Sequence, residues 1–299
     1  MVNLPLSRLT RKPPTLEFRT LSLIIPTRAR ANLWRSRWLT DAIEAQTRHP
    51  DELLVAVDHT DDDTVDVLVS WWNERRRSFP LTILEVLAPR PEPYPASGIA
   101  DNCLFHAAHG DILCHLDDDC RPGPDFLELN SWWFQNSPRC IIFHPITFTD
   151  RHFSPIDPPN HTDSRLRCRR YHLWPRLPGG LAELPATEQL CWGAAWTVRR
   201  ADVAAIGGHD LTTCGYHNTD TRLGKRLTRS GVRPLLATDP RAEILHLGQT
   251  WHVQNQHNTT LIAKYSWRFS TPKVANGGPK FWSSPWFQNA YRKTHTLTP

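Results

Sequence analysis

Two runs of aspartate are where this chain could do chemistry. His115-Leu116-Asp117-Asp118-Asp119-Cys120 sets three carboxylates side by side, and Asp58-His59-Thr60-Asp61-Asp62-Asp63 sets four within six residues. Adjacent carboxylates repel one another unless a cation lies among them. Hard divalent ions such as Mn²⁺ or Mg²⁺ prefer oxygen ligands, often one or two carboxylates together with substrate phosphates. A solvated turn or a helix N-terminus is the plainer reading of such runs, and Pro122-Gly123-Pro124 does follow the first. In the second, Asp58 is placed to accept hydrogen bonds from a base or ribose, whereas Asp62 and Asp63 suit the cap of a following helix.

The elements around these runs decide between the readings. Leu21-Ser22-Leu23-Ile24-Ile25 reads as a strand stopped by Pro26, and a helix is expected near Ser36–Thr47. Leu53–Val57 is a second apolar run, ending at Asp58. Val65, Leu68, Val69 and Trp72 then repeat at helical spacing. Leu81–Leu87 is a third strand, Ile99 to Ala107 a helix, and Asp111–Leu116 a fourth strand. This alternation predicts an α/β chain with a mainly parallel sheet, whose ligands bind beyond the carboxyl ends of the strands. Pro26–Arg30, Asp58–Asp63 and Asp117–Asp119 all fall there. Further on, Cys140–Phe148 and Trp192–Val198 read as strands, residues 149–188 as a long irregular segment, and Ala201–Ile206 as a helix stopped by Gly207-Gly208. Asp220–Arg229 suits a helix, and Ile244-Leu245 a strand before His246.

Taken in order, these segments resemble family 2 glycosyltransferases. Pro26-Thr27-Arg28-Ala29-Arg30 is similar to the family's "PTYNR" segment, and Asp58 with Asp61–Thr64 to its "vvDdgStDdT". Gly98-Ile99-Ala100-Asp101-Asn102 followed by Ala108-His109-Gly110-Asp111-Ile112 resembles "G.s.arN…A.Gdii". Asp117-Asp118-Asp119 falls where the family has its DxD metal motif. Gly207-Gly208-His209-Asp210 resembles "GGfDe", and Asn218 to Leu227 resembles "gEDtdLg.RL", closed by Gly231. The likeness runs over about residues 21–250. It implies a GT-A fold: residues 21–120 as a Rossmann-like nucleotide-sugar-binding half, continuous with residues 121–250 as the acceptor and catalytic half. Residues 1–20 are expected to form an arm, and residues 251–299 an aromatic extension.

The resemblance implies transfer of a sugar from a nucleotide diphosphate, with UDP the commonest nucleotide, to an acceptor nucleophile with inversion. Asp119 and His246 would hold Mn²⁺ or Mg²⁺. Pro26, Thr27, Arg30, Asp58, Asn102, Asp117 and Asp118 would line the donor nucleotide, with Asp58 reading the base. Asp220 would be the base that deprotonates the acceptor. Thr219 departs from the pattern, standing where the family usually has Glu, which leaves open a relocated base or an altered acceptor. Trp192 and Gly193 begin the strand expected to lead to the acceptor, which could be a glycan, a protein or peptide, or a small metabolite. Two rivals remain: a sugar-phosphate nucleotidyltransferase, disfavoured because Pro26–Arg30 has no glycine, and an inactive nucleotide- or carbohydrate-binding module, favoured only by Thr219.

Composition sets the outer limits. The 299 residues carry 35 Lys+Arg against 30 Asp+Glu, a formal +5. Seven of those acids lie in the two aspartate runs, so the rest of the chain sets 35 basic residues against 23 acidic ones, a net +12. The body is thus basic around an acidic pocket. Of the basic residues 29 are Arg, whose planar fork suits phosphates and carboxylates; Arg165, Arg167, Arg169, Arg170 and Arg176 crowd the irregular middle. No nucleic-acid-binding motif accompanies the charge. No run reaches the length of a membrane span, which leaves peripheral contact as the expected limit of any membrane role. Seven cysteines without a CxxC pair read as reduced thiols of a cytoplasmic protein.

Overall fold

A computed structural model describes residues 19–28, 30–58, 62–87, 97–137, 139–149, 180–183, 194–210, 219–247 and 282–299. The first apolar run forms β1 (Leu21–Arg28), buried on both faces. The single helix expected after it is instead two short ones, α1 (Ala31–Arg35) and α2 (Thr40–Glu44). The break is Arg37, whose φ of 61° lies in the left-handed region that a helix cannot contain. Trp38 and Leu39 beside it are nevertheless buried.

β2 (Glu52–Asp58), α3 (Thr64–Asn73), β3 (Leu81–Val86), α4 (Ser97–Ala107) and β4 (Ile112–Leu116) then follow the alternation read from the sequence. β1 pairs in parallel with β2 and with β4, and β2 with β3. Side chains alternate across these strands, and both sets are apolar. Leu21, Leu23 and Ile25 enter one core with Leu53, Val55 and Val57, while Ile24 enters the other with Leu54 and Ala56. A strand greasy on both faces is stable only inside a sheet covered on both sides, and each buried aliphatic side chain contributes about 1.5–3 kcal/mol.

Next come β5 (Cys120–Pro122), α5 (Phe126–Asn136), β6 (Cys140–Phe143) and β7 (Ile146–Thr149). The strand expected over Cys140–Phe148 is split at His144-Pro145, because proline has no N–H to continue the ladder. The chain continues with β8 (Leu181–Glu183), β9 (Ala195–Arg199), α6 (Arg200–Ile206), α7 (Thr219–Arg229), β10 (Arg233–Ala237), a 3-10 turn at Pro240–Ala242 and β11 (Ile244–Leu247). It closes with α8 (Pro285–Gln288) and β12 (Tyr291–Leu297).

Among the described residues one large sheet has the order β12-β3-β2-β1-β4-β9-β6-β10-β8. β9 runs antiparallel between β4 and β6 and so joins the two halves. A small sheet, β5-β11-β7, lies beyond the end of β4 and sets His246 opposite Cys120. Residues 282–299, the described part of the expected extension, pack back on the chain: Phe287 is fully buried against His106 and Tyr291, and β12 pairs antiparallel with β3. Among the described residues no helix is long and apolar enough to cross a membrane. Cys103, Cys114, Cys120 and Cys140 are buried free thiols.

Candidate active site

The carboxyl ends of β1, β2 and β4 meet at one place. Register aligns Arg28 with Asp58, and β4 delivers Asp117, Asp118 and Asp119 just beyond Leu116. Asp58 is buried at the tip of its strand. Asp62 Oδ1 accepts from the Thr64 amide (3.0 Å) at the start of α3, and its Oδ2 accepts from the Ala31 amide (3.0 Å) at the start of α1. Asp62 therefore ties both helices to the end of β1, while Asp63 pairs with Arg35. His59 and Asp61 lie outside the described residues.

The three aspartates face three ways. Asp118 turns toward β1: its Oδ2 accepts from the Thr27 hydroxyl (2.5 Å), which itself accepts from the Trp34 indole N–H (3.0 Å). Arg30 Nη1 spans Asp118 Oδ1 (2.7 Å) and Asp119 Oδ2 (3.0 Å). Burial pushes the Asp118 carboxyl up to about 7, with the neighbouring Asp119 charge adding to it and Arg30 and Thr27 only partly offsetting it. Asp119 turns toward the small sheet, where its Oδ1 lies 3.4 Å from His246 Nε2. Its backbone oxygen accepts from the Leu247 amide (2.9 Å), so the pairing of β11 fixes that approach.

Asp117 faces β9. Its Oδ2 accepts from the Ala194 amide (2.5 Å), and its own amide donates to Ala194 O (2.8 Å). Ala194 has a φ of 68°, a strained state for a non-glycine residue that such a double bond can hold. Burial raises the Asp117 carboxyl. Trp192 and Gly193, which precede this clamp, lie outside the described residues, as do Asn218, the cluster from Arg165 to Arg176, and Cys168, Cys191 and Cys214.

Behind Asp117 lies a second group, in which Asp101, His115 and His209 join the Asp220 already marked from the sequence. His115 Nε2 is 3.2 Å from Asp101 Oδ1 and 3.9 Å from Asp117 Oδ1. His209 Nε2 is 3.1 Å from Asp101 Oδ2. Asp220, in the first turn of α7, brings a carboxylate oxygen within 4.8 Å of both Asp101 and His209. Burial alone would raise the Asp101 carboxyl, but His115 and His209 outweigh it and hold it well below the ordinary range. Burial raises the Asp220 carboxyl. Asn102 is fully buried with both amide atoms on the His209 backbone, accepting from its N–H (2.7 Å) and donating to its C=O (3.1 Å). Its place is behind the loop, where it holds the loop against α4.

Asp119, Cys120 and His246 present ligand atoms within 4.8 Å of one another. An imidazole nitrogen and a carboxylate oxygen converging on one point suit a Mn²⁺-type ion that completes its shell with phosphate oxygens. Thr27 and Arg30, both bonded to Asp118, stand beside this pair, and Asp58 ends the adjacent strand. Sequence reasoning missed the roles of Trp34, Asp101, His115 and His209; the one available signal was that His115 and His209 each stand two residues or fewer from an aspartate already marked.

No family model matches the chain, and no curated protein does. Solved structures do. The chain superposes on S. aureus TarS 1-349 with a TM-score of 0.54 at 13% identity, over 76% of this chain and 60% of that one. The architecture is therefore settled. The fold is GT-A. Longer S. aureus TarS gives the same TM-score, 0.54, at 14% identity, over 82% of this chain but only 39% of its own length. TarS 1-349 in complex with UDP-GlcNAc matches at 0.54 and 13% identity, over 77% of this chain and 59% of that one. The present chain spans at most three fifths of the TarS chains it matches. Within the GT-A fold, the aspartates after β4 and the tips of β1 and β2 occupy the crevice at the carboxyl ends of the parallel strands.

Proposed function

We propose that this chain is a metal-dependent glycosyltransferase that takes a nucleotide-diphosphate sugar, with UDP as the nucleotide, and transfers the sugar with inversion. The observation that carries the proposal is the convergence of Asp119 and His246. Asp119, in the turn between β4 and β5, and His246, on β11, stand 3.4 Å apart beside Arg30, at the strand ends where a GT-A crevice lies. The crystal structure of TarS with UDP-GlcNAc supports the choice of donor, although a fold alone does not specify a reaction.

In this reading Asp58 accepts from the base, and Thr27 and Asp118 shape the pocket around the ribose. Asp117 contacts the ribose or a metal-bound water while holding Ala194. Mn²⁺ or Mg²⁺ held by Asp119 and His246 would supply Lewis-acid neutralisation of the leaving diphosphate. Arg30, about one third exposed, can swing from Asp118 and Asp119 onto the diphosphate and add a charge-assisted contact. Asp220 takes the proton from the acceptor hydroxyl or amine as it attacks the anomeric carbon. Its raised carboxyl brings it closer to the working pH, which favours a base. Thr219, at the first position of α7, carries no part of this step.

The test is calorimetric titration of UDP with and without Mn²⁺. Binding that appears only with the ion, and is lost in Asp119→Ala, is the expected result; tight metal-independent binding, or none, defeats the reading.

A further inference from the structure

We infer that His209 is a positioning residue for Asp220: it sets a buried imidazole, held in one pose by Asp101, Asn102 and Phe105, against the carboxylate of the proposed base. The inference rests on the reading of Asp220 as the base and adds what keeps that carboxylate ready to accept a proton.

A base must be ionised when the acceptor arrives, and most of the surroundings of Asp220 work against that. Burial raises its carboxyl, and the charges of Asp101 and Asp117 add to the rise. Two imidazoles oppose it, His209 more strongly and His115 less. Among the described residues these groups come from three places: Asp101 from α4, His115 and Asp117 from β4 and its end, and His209 from the turn after α6. α6 and β10, which also pack against α7, present Val203 and Leu236 to the core that Leu223 and Leu227 enter. His209 and Asp101 each bring a polar atom within 4.8 Å of an Asp220 carboxylate oxygen. At that range an opposite charge favours the ionised carboxylate by about 1–3 pH units.

The His209 ring is wholly buried and has little freedom. Its Nε2 pairs with Asp101 Oδ2 at 3.1 Å, and Phe105 stacks on its face at 5.5 Å and 14°. Asn102 takes both backbone hydrogen-bonding groups of the residue. Gly208, at φ 71°, allows the turn, and a Cβ there would come within 2.0 Å of Asn102 Oδ1. Arg226, on α7 with Asp220, donates to Gly208 O (2.5 Å) and to Ile206 O, so the turn and the base are tied together. Asp101 is held from its other side by His115 Nε2 at 3.2 Å, and His115 stacks on Trp196 at 4.5 Å and 3°. Groups locked in advance act on a reacting centre without reorganising during the reaction. In the transfer itself the acceptor O–H or N–H bond breaks, its proton passes to an Asp220 oxygen, and the freed electron pair forms the bond to the anomeric carbon as the bond to the diphosphate breaks. His209 keeps its own protons throughout.

The test is titration of the Asp220 carboxyl in the full chain by carbon NMR with labelled aspartate, its resonance identified by its absence from Asp220→Asn. His209→Phe keeps a stacked ring and removes the nitrogens, and in it the Asp220 carboxyl should titrate about one pH unit higher than in the native chain. His209→Gln, polar but uncharged, should shift it the same way and decides the matter alone if His209→Phe does not fold. His115→Gln should shift it less. An unmoved Asp220 titration in the folded His209 variants leaves His209 with a packing role and overturns the inference, as does a larger shift in His115→Gln. The second readout is the pH profile of UDP release from UDP-GlcNAc with water as the acceptor. Because a base works only when ionised, the acid limb should move to higher pH by the same amount in the His209 variants, with the KM for the donor unchanged. A limb that stays put while the carboxyl has moved strikes the reading of Asp220 as base and leaves its coupling to His209 standing, so the two failures are told apart.

Discussion

Asp119 with His246 and Asp101 with His209 are the same two residue types in opposite surroundings. The first pair sits at the crevice, 3.4 Å apart, with Arg30 already donating to Asp119. The second is 3.1 Å apart, buried, and walled by Phe105, with His115 and Trp196 behind it. An open pair can exchange one cation for another, a guanidinium for a metal or a diphosphate-bound ion, because water covers the intermediate states. A sealed pair cannot, and its geometry must be set in advance by packing. A reaction centre that must take up and release a charged donor belongs with the first; a fixed structural charge belongs with the second.

Four changes would break or sharpen this comparison. Asp220→Asn has the largest expected effect: transfer should fall by about 10²–10⁴-fold while UDP binding with Mn²⁺ is kept. Retained turnover in an assay of sugar transfer would remove Asp220 as base. Trp196→Ala removes a fully buried indole that stacks on His115 and meets Phe105 and should cost about 3–5 kcal/mol by urea unfolding; a far smaller loss would show that the wall is soft. Gly208→Ala forces a side chain into the left-handed region and against Asn102, and should cost about 1–3 kcal/mol, with the open pair's UDP affinity little changed.

The smallest effect is in pH dependence at the other end of the sheet. Burial would raise the Glu52 carboxyl, but the Ser22 hydroxyl and the His109 and Gly110 amides outweigh it and lower it. A carboxyl that binds its proton less tightly when folded adds stability above its unfolded value of 4.5, and that stability is lost as pH falls through the folded value. Melting temperature should therefore decline at acid pH, and Glu52→Gln should flatten that decline. An unchanged acid limb in the variant would assign the loss to other carboxylates.

The donor side was legible because its signals are local. Short apolar runs ending at Pro26, Asp58 and Asp117 predict both the sheet and the edge where ligands bind. α5 has no counterpart among the expectations from sequence, although Phe126, Leu129 and Trp133 recur at helical spacing just after Asp125. The sealed pair left no such trace. Asn102 meets His209 across 107 residues of sequence, and the two histidines gain their meaning only when α4, β4 and the turn after α6 are packed together. Arg37's positive φ is likewise a tertiary outcome, since nothing in Ser36-Arg37-Trp38 asks for a break.

The last described strand has a consequence for how the chain can fold. β12 covers the outer edge of β3, and Arg292 reaches Glu85 across 207 residues. During synthesis β1 to β4 emerge long before their cover, so Leu81–Val86 must wait as an open apolar edge, the kind that recruits other chains. Closing so long a loop is slow. Competition between that closure and edge-to-edge pairing should set the yield of native protein, so refolding should improve on dilution more than on any gain in core stability.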